Sequence, residues 1–173
     1  MHRKGHLLGA TSAWIVIIVL YHFFSGVNFA TIDVKHSVWM ILSFFACHFG
    51  AQLPDYDVLW QKLLPHRNVL THSFILPIAF TLPVYLTRKD LTGDFVFLVP
   101  IFAMYLVGHA SHLFLDLMPE GWEGSALIHI FWRNEKGRKT MPGVSSFLFL
   151  LINGLIILAG GIILLFFFSR WVT

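Results

Sequence analysis

Charged residues are scarce in this 173-residue sequence, at 12% of the chain, whereas hydrophobic residues make up 57%. Soluble domains usually carry about 25% charged residues, so the composition excludes an ordinary soluble domain. Cysteine is nearly absent as well, because Cys47 is the only one. An intrachain disulfide is therefore excluded. Internal repeats and low-complexity tracts are also lacking, and the composition predicts an integral membrane protein.

Five apolar runs have the length, or nearly the length, of the roughly 20-residue helix that crosses about 30 Å of hydrocarbon. These predicted spans are Leu7 to Phe24, Ser37 to Leu53, Val69 to Thr87, Phe95 to Met118 and Val144 to Phe168. Inside lipid, backbone polar groups must be satisfied within the segment, which a helix achieves. We therefore expect an all-α fold class, a polytopic transmembrane helical bundle of about five spans that forms one domain over residues 1–173.

The net charge is +3, and the basic residues lie beside the spans. Membrane topology explains this placement, and we predict no nucleic-acid partner. Eight Lys and Arg fall on the side of the N-terminus and four on the other, namely Arg3, Lys4, Lys62, Arg67, Arg133, Lys136, Arg138 and Lys139 against Lys35, Arg88, Lys89 and Arg170. If all five spans cross, the bias predicts a cytoplasmic N-terminus and an external C-terminus.

Histidines and aspartates gather at the span ends on the N-terminal side. The candidate metal ligands are His6, Asp55, Asp57, His66, His72, His112 and Asp116. Ionisable groups near the bilayer are costly unless they face a protein interior, a partner or an ion. His112 and Asp116 reach one point from one helix because they are four residues apart. The pattern predicts one shared metal site at one membrane surface, with His109 a turn deeper and in reserve.

The residue types indicate a divalent metal, since imidazoles suit Zn²⁺ and iron and carboxylates suit Mg²⁺ or Mn²⁺. Zinc is favoured here, with manganese, iron or magnesium as alternatives. Seven candidates exceed the three or four protein ligands of a single zinc, so one or two ions are expected. We assign catalytic roles to Asp55, Asp57 and His72, and expect Arg67 to bind a phosphate.

Other interpretations of these residues stay open. Asp55 and Asp57 are also compatible with two solvated loop acids, and Arg67 with pairing to lipid head groups. His112 and Asp116 are compatible with a buried hydrogen bond, and His48 with a buried histidine bonded to a backbone carbonyl. Thr71 and Ser73, near the start of the third span, are compatible with orienting ligands and with capping that helix, and capping is favoured.

In this order, the motifs resemble a bacterial and archaeal family of inner-membrane metal-dependent hydrolases, often labelled LexA-regulated or YdjM-like. The matching pieces are His6 with Gly9, Leu-Pro-Asp-Tyr-Asp57, His66-Arg through Thr-His-Ser73, and Ser-His-Leu-Phe-Leu-Asp116. Val58 stands where that family tends to have a histidine. The turn after the last aspartate also departs from the family's Thr-Pro-Gly-Gly-like pattern, being Leu117-Met-Pro-Glu-Gly-Trp122. The resemblance implies a metal-dependent hydrolase in a helical bundle of the cytoplasmic (inner) membrane.

The predicted function is a membrane-embedded hydrolase that uses a metal-activated water at the cytoplasmic face. Its expected partners are membrane lipid and a phosphoester substrate, lipid-borne or otherwise membrane-associated, whereas the oligomeric state is left open. The alternatives are a metal transporter or sensor that uses the same cluster, and a structural membrane protein without catalysis. The segment Trp122 to Pro142 is expected to form an interfacial lid with aromatic anchors.

Overall fold

The structure is a computed structural model that describes residues 3–26, 33–60, 65–87, 98–134 and 137–169. These residues form five α-helices: α1 (Arg3–Ser25), α2 (Val34–Gln52), α3 (Ile75–Thr87), α4 (Leu98–Leu115) and α5 (Gly143–Ser169). A 3₁₀ helix over Leu53–Trp60 continues α2, and a second covers Gly124–Ala126. The chain is mostly helical, which agrees with the predicted all-α class. An antiparallel hairpin of β1 (His129–Asn134) and β2 (Gly137–Thr140) is an addition that the sequence did not lead us to expect.

Three helices in the described part of the chain are long and apolar enough to cross a membrane, over Lys4–Ser25, Leu98–Leu115 and Gly143–Phe166. They correspond to the first, fourth and fifth predicted spans. Helix α3 has 13 residues, about 20 Å at 1.5 Å per residue, which is shorter than the hydrocarbon layer. The described part of the chain thus contains three candidate spans and does not show the predicted number of about five. The predicted start of the fourth span at Phe95 lies outside the described residues.

Helix α4 is the centre of the bundle. It packs against α1, α2 and α5, and its residues 103–113 are all buried. Two glycines let α2 and α4 approach closely: a Cβ on Gly108 would collide with the carbonyl of Cys47, and one on Gly50 with the carbonyl of Tyr105. Small residues at helix contacts are a common way to pack membrane helices. The motif around Gly108 is thereby held against α2.

The helices run so that the start of α1, the end of α2 and the end of α4 meet at one end of the bundle. His6, Asp55 and Asp116 come from these three positions, and His6 Nε2 lies 3.9 Å from Asp55 Oδ2 and 3.7 Å from Asp116 Oδ1. We call this the cluster end. At the far end, where α1 ends and α2 begins, His22 and His36 contact each other.

Helix α3 begins at Ile75, six residues after the predicted start at Val69. The delay has a local cause, since Asn68 Oδ1 accepts hydrogen bonds from the backbone N–H groups of Leu70 (3.0 Å) and Thr71 (3.1 Å). Such a side-chain turn competes with helix formation. Residues 65–74 therefore form a folded loop beside the cluster instead of a helical turn.

The hairpin stabilises this loop through backbone hydrogen bonds. The backbone N–H of Val69 donates to the His129 carbonyl (3.1 Å), and the N–H of His129 donates to the Arg67 carbonyl (2.9 Å). The buried Ser146 of α5 in turn binds the N–H of Ile128 at 3.0 Å. The segment predicted as a lid thus contributes backbone bonds that fix Arg67 and its neighbours.

Candidate metal centre

Five side chains from four segments of the chain converge at the cluster end. They form two overlapping groups, His6, Asp55 and His112, and His72, His112 and Asp116, whose ligand atoms lie within 4.8 Å of one another in each group. The histidines and Asp116 are at most 2% exposed, whereas Asp55 is partly exposed. Each group can hold a metal ion. All five side chains belong to the predicted site.

The ring orientation of His112 is fixed by the backbone. Its Nδ1 lies 2.7 Å from the carbonyl oxygen of Ala51 in α2. A carbonyl oxygen only accepts, so Nδ1 carries the proton, and Nε2 of the neutral ring keeps its lone pair. This is the usual arrangement of a metal-binding histidine, whose other ring nitrogen is held by a backbone or carboxylate oxygen.

His72 is oriented in the same way through a side chain. Its Nδ1 lies 2.9 Å from Thr71 Oγ1, and that hydroxyl is 3.0 Å from Asp57 Oδ2. The hydroxyl donates to the carboxylate, so Thr71 accepts from Nδ1–H of His72, and Nε2 again keeps the lone pair. Thr71 therefore positions a ligand, whereas the expected capping role belongs to Ser73, whose Oγ accepts from the N–H of Ile75.

These orientations turn acceptor atoms toward one another. His72 Nε2 and His112 Nε2 lie 3.5 and 3.4 Å from Asp116 Oδ2, and none of the three atoms has a hydrogen-bond partner among the described residues. Both distances exceed the usual 2.7–3.2 Å of an N–H···O bond. Atoms bound at about 2.0–2.2 Å to one tetrahedral ion are about 3.4 Å apart. The spacing suits a shared ion.

The other two candidates approach the same point. The His6 ring stacks on the His112 ring at a centroid distance of 4.0 Å, and Asp55 Oδ1 lies 3.7 Å from His112 Nε2. The two groups share His112, whose single lone pair at Nε2 binds one ion. The described geometry thus offers two alternative three-ligand sites for one ion, and Asp55 is the most accessible of the five ligands.

Asp57 and His66 lie apart from this cluster and pair with each other. Asp57 Oδ1 accepts from His66 Nδ1 at 2.8 Å, and Asp57 Oδ2 accepts from the backbone N–H of Arg67 at 2.9 Å. Asn68 and Thr71 also donate to Oδ2. Asp57 is buried and occupied by these bonds. The structure thus does not bring it or His66 into the groups that can hold a metal.

Arg67 connects the cluster to this loop. Its Nη2 donates to Asp116 Oδ1 at 2.6 Å, and its Nη1 donates to the carbonyl of Ala126 at 3.1 Å. The backbone φ of Arg67 is +58°, a left-handed conformation that costs about 1–3 kcal/mol for a non-glycine residue. The bond from its N–H to Asp57 stabilises that conformation. The guanidinium is buried beside the carboxylate that it neutralises.

The charges of the loop residues follow from these contacts. Burial favours a neutral carboxyl group, but hydrogen bonds, first among them the one from His66, outweigh it and lower the pKa of Asp57. The bond to Asp57 raises the pKa of His66. Burial lowers the pKa of His72 despite the nearby Asp116. Asp57 is thus ionised, Asp116 pairs with the guanidinium of Arg67, and the neutral form of His72, which a metal ligand requires, is favoured.

Two further histidines of the sequence analysis lie outside both groups. His109 is fully buried, and its two ring nitrogens have no hydrogen-bond partner among the described residues. His48 Nδ1 donates to the Phe44 carbonyl at 2.9 Å, and its Nε2 lies 3.0 Å from Thr11 Oγ1. His48 is half-buried and, as one interpretation of the sequence had it, is bonded to a backbone carbonyl.

A cavity of about 630 Å³ opens beside Arg67. Its lining includes His66, Leu115, Met118, Glu120 and Glu123. Pockets for small ligands usually measure about 300–1,000 Å³. The cavity is therefore large enough for a substrate head group next to the cluster.

Several residues that build the site carry no sequence signal of their own. Asn68 is 0% exposed and shapes the loop, Ala126 contributes a carbonyl to Arg67, and Asn153 of α5 accepts from the N–H of Phe74 at 2.9 Å. The position of Asn68 directly after His66-Arg was the one feature of the sequence that could have indicated its role. Ala126 and Asn153 act through contacts with residues far away in the sequence.

Comparisons of the chain with protein-family models, with curated proteins and with solved structures found no match. The resemblance to inner-membrane metal-dependent hydrolases therefore stays a prediction. The function of the chain is therefore inferred from the geometry of the cluster.

Proposed function

We propose that the cluster binds one divalent metal ion and that the protein is a membrane-embedded hydrolase of phosphoesters. The observation that carries the proposal is the meeting of three buried acceptors, His72 Nε2, His112 Nε2 and Asp116 Oδ2, at 3.4–3.5 Å from nitrogen to oxygen. Buried acceptors without a donor are costly. A cation between them removes that cost.

The donor set favours zinc or iron over magnesium, because three imidazoles accompany two carboxylates. When bound, such an ion polarises a phosphoryl oxygen and lowers the pKa of a water molecule. The two aspartates and Arg67 leave one net negative charge. A divalent ion brings the site to about one positive charge, which suits an anionic phosphate group.

The chain's own residues have distinct tasks in the proposed hydrolysis. A water oxygen bonds to phosphorus and releases one proton to solvent, the bond from phosphorus to the alcohol oxygen breaks, and that oxygen takes up a proton. Arg67 holds Asp116 in place and offers positive charge to the phosphate. His66 lines the cavity with Nδ1 held by Asp57, so its Nε2 is the group placed to supply the proton.

The location of the cluster suggests the substrate's source. His6 lies near the start of α1 and Asp116 follows α4 directly, and both helices are long and apolar enough to cross a membrane. We propose that α2 and α3 complete a bundle of about five spans, with the cluster at the cytoplasmic surface of the cell membrane. There the substrate is a lipid head group or another membrane-associated phosphoester.

The test is hydrolysis by detergent-purified protein loaded with zinc, manganese or iron. The panel contains phospholipids, soluble phosphodiesters and phosphomonoesters, and carboxylic esters. We expect phosphoester cleavage by the wild type and by His48→Gln, a histidine of the same bundle outside the cluster, and none by Asp116→Ala. If metal-loaded wild type cleaves no member of the panel, the proposed reaction is wrong.

A metal transporter is the second candidate, and one observation favours it. Polar contacts recur along α1 and α2, with Thr11 near His48, Trp14 donating to Ser43, and His22 near His36 at the far end. Uptake of zinc or manganese into proteoliposomes, lost in His112→Ala, would support transport. A structural protein, by contrast, would bind no stoichiometric metal.

A further inference from the structure

The cavity beside the cluster is lined by side chains of opposite charge. Arg67, only 5% exposed, lies on the side of the cluster and donates to Asp116. Glu120 and Glu123 lie on the loop after α4, are exposed and line the same cavity. A purely anionic substrate would meet repulsion from both glutamates. A substrate with a phosphate near Arg67 and a cation near the glutamates would satisfy both sides.

The glutamate loop is held in place from below. The Trp122 ring contacts the Phe147 ring of α5 at a centroid distance of 6.0 Å, and Gly143 at the start of α5 lies against Trp122. Trp122 stands between the two glutamates in sequence, so this contact anchors the loop that carries them.

Part of the remaining lining of the cavity is apolar and suits contact with a lipid chain. Leu115 and Met118 line it, and Met118 is 78% exposed. An exposed methionine next to a polar pocket offers an adaptable apolar contact. The cavity thus offers charged side chains to a head group and apolar side chains to a lipid chain.

We propose that this cavity selects phosphoesters that carry an ammonium group, with the phosphate at Arg67 and the ammonium at Glu120 and Glu123. The inference rests on the proposed hydrolase function and names its substrate class. The same chemistry occurs in phosphatidylethanolamine and in soluble glycerophosphoethanolamine. The apolar exit favours the lipid.

The first experiment compares hydrolysis of phosphatidylethanolamine, phosphatidylglycerol and glycerophosphoethanolamine by metal-loaded protein. Wild type is expected to cleave phosphatidylethanolamine roughly three- to tenfold faster than phosphatidylglycerol, as two partly exposed charge contacts allow. The double variant Glu120→Gln, Glu123→Gln should lose this preference. Ser125→Ala, which removes an uncharged group from the same lining, should keep it.

Each outcome decides a separate point. Equal rates on the two lipids in wild type, or an unchanged preference in the double variant, overturn the ammonium site. Preferential cleavage of glycerophosphoethanolamine over phosphatidylethanolamine keeps the ammonium site and assigns it to a soluble substrate.

A second measurement separates this inference from the hydrolase proposal. Binding of O-phosphoethanolamine and of glycerol 3-phosphate to metal-loaded protein is measured by titration calorimetry in detergent, which requires no turnover. Tighter binding of O-phosphoethanolamine, reduced in the double variant, supports the ammonium site even if hydrolysis fails. Equal binding of both compounds, together with cleavage of phosphatidylglycerol, overturns the ammonium site and leaves the hydrolase standing.

Discussion

Histidines lie close together at both ends of the bundle, but their ring orientations differ. At the far end, His22 Nδ1 donates to the Ile18 carbonyl, and His22 Nε2 lies 3.1 Å from His36 Nε2. The Nε2 lone pair of His22 therefore accepts a hydrogen bond from the Nε2–H of His36. At the cluster end, His72 and His112 both direct lone pairs toward a carboxylate. Close histidines thus occur at both ends. At the far end the second ring nitrogen of His22 is hydrogen-bonded to another histidine, whereas at the cluster end the second ring nitrogens of His72 and His112 face a carboxylate and can bind a metal.

Removing an aspartate should affect the two ends very differently. Asp57→Ala leaves four donors of the cluster-end loop without their carboxylate, and we expect a loss of about 3–5 kcal/mol in the free energy of unfolding. Asp33→Ala removes the exposed cap of α2, where Asp33 accepts from the N–H of His36, and should cost about 1 kcal/mol. Denaturation in detergent measures both. Equal losses would contradict the structural role given to Asp57.

Replacing Arg67 tests the cluster end without removing a metal ligand. Arg67→Lys keeps the charge but cannot bind Asp116 and the Ala126 carbonyl with two nitrogens. We expect metal to be retained and hydrolysis to fall roughly 10- to 100-fold, as for other partners of metal ligands. Metal content and the rate of phosphoester cleavage are measured on one preparation. Unchanged activity would show that Arg67 is not part of the proposed site.

Close contact of α2 and α4 is what brings the ligands together at one end. Gly108→Ala places a methyl group against the Cys47 carbonyl, and overpacking of this kind costs about 1–3 kcal/mol. Gly121→Ala, where a Cβ would meet nothing within 4 Å, should stay within about 0.5 kcal/mol of wild type. Thermal unfolding of the two variants provides the measurement. A harmless Gly108→Ala would contradict the tight crossing.

The smallest effect is expected from breaking the far-end pair. His36→Ala removes the donor to His22 and should cost about 1 kcal/mol of stability. Metal content and hydrolysis should not change. Unfolding, metal analysis and activity are compared with wild type, and a loss of bound metal would place a second metal site at the far end.

The convergence of the cluster could be predicted because helices that alternate in direction bring their ends to one side. His6, Asp55, His72, His112 and Asp116 meet for that reason, and His112 and Asp116 share a helix face at i and i+4. Chain direction predicted these five residues together with Asp57 and His66, which the structure places outside the two groups. That prediction required no knowledge of side-chain packing.

The different roles of Asp55, which lies in the cluster, and Asp57, which binds the loop of His66, could not be predicted. A 3₁₀ helix has about three residues per turn, so residues two apart point about 120° away from each other around its axis. Asp55 thus faces the cluster, and Asp57 faces the loop of His66. From the sequence, both aspartates were candidate ligands of one shared site. Only the local geometry distinguishes the two residues.

The start of α3 and the hairpin depend on contacts that a hydropathy pattern does not contain. Val69 lies in an apolar run, yet its N–H pairs with His129, sixty residues later. Asn68 turns the chain just before it. Such long-range backbone pairing overrides the apolar pattern and keeps His72 on a loop beside the cluster.

The most direct test of the central claim is metal content per chain, measured by elemental analysis of detergent-purified protein after reconstitution with zinc, manganese or iron. We predict about one divalent ion per wild-type chain and per His36→Ala chain, and almost none in His112→Ala or Asp116→Ala. Wild type without bound metal would contradict the account, because the facing acceptors would then be held by a proton. Equal loss of metal in His36→Ala would contradict the distinction between the two ends.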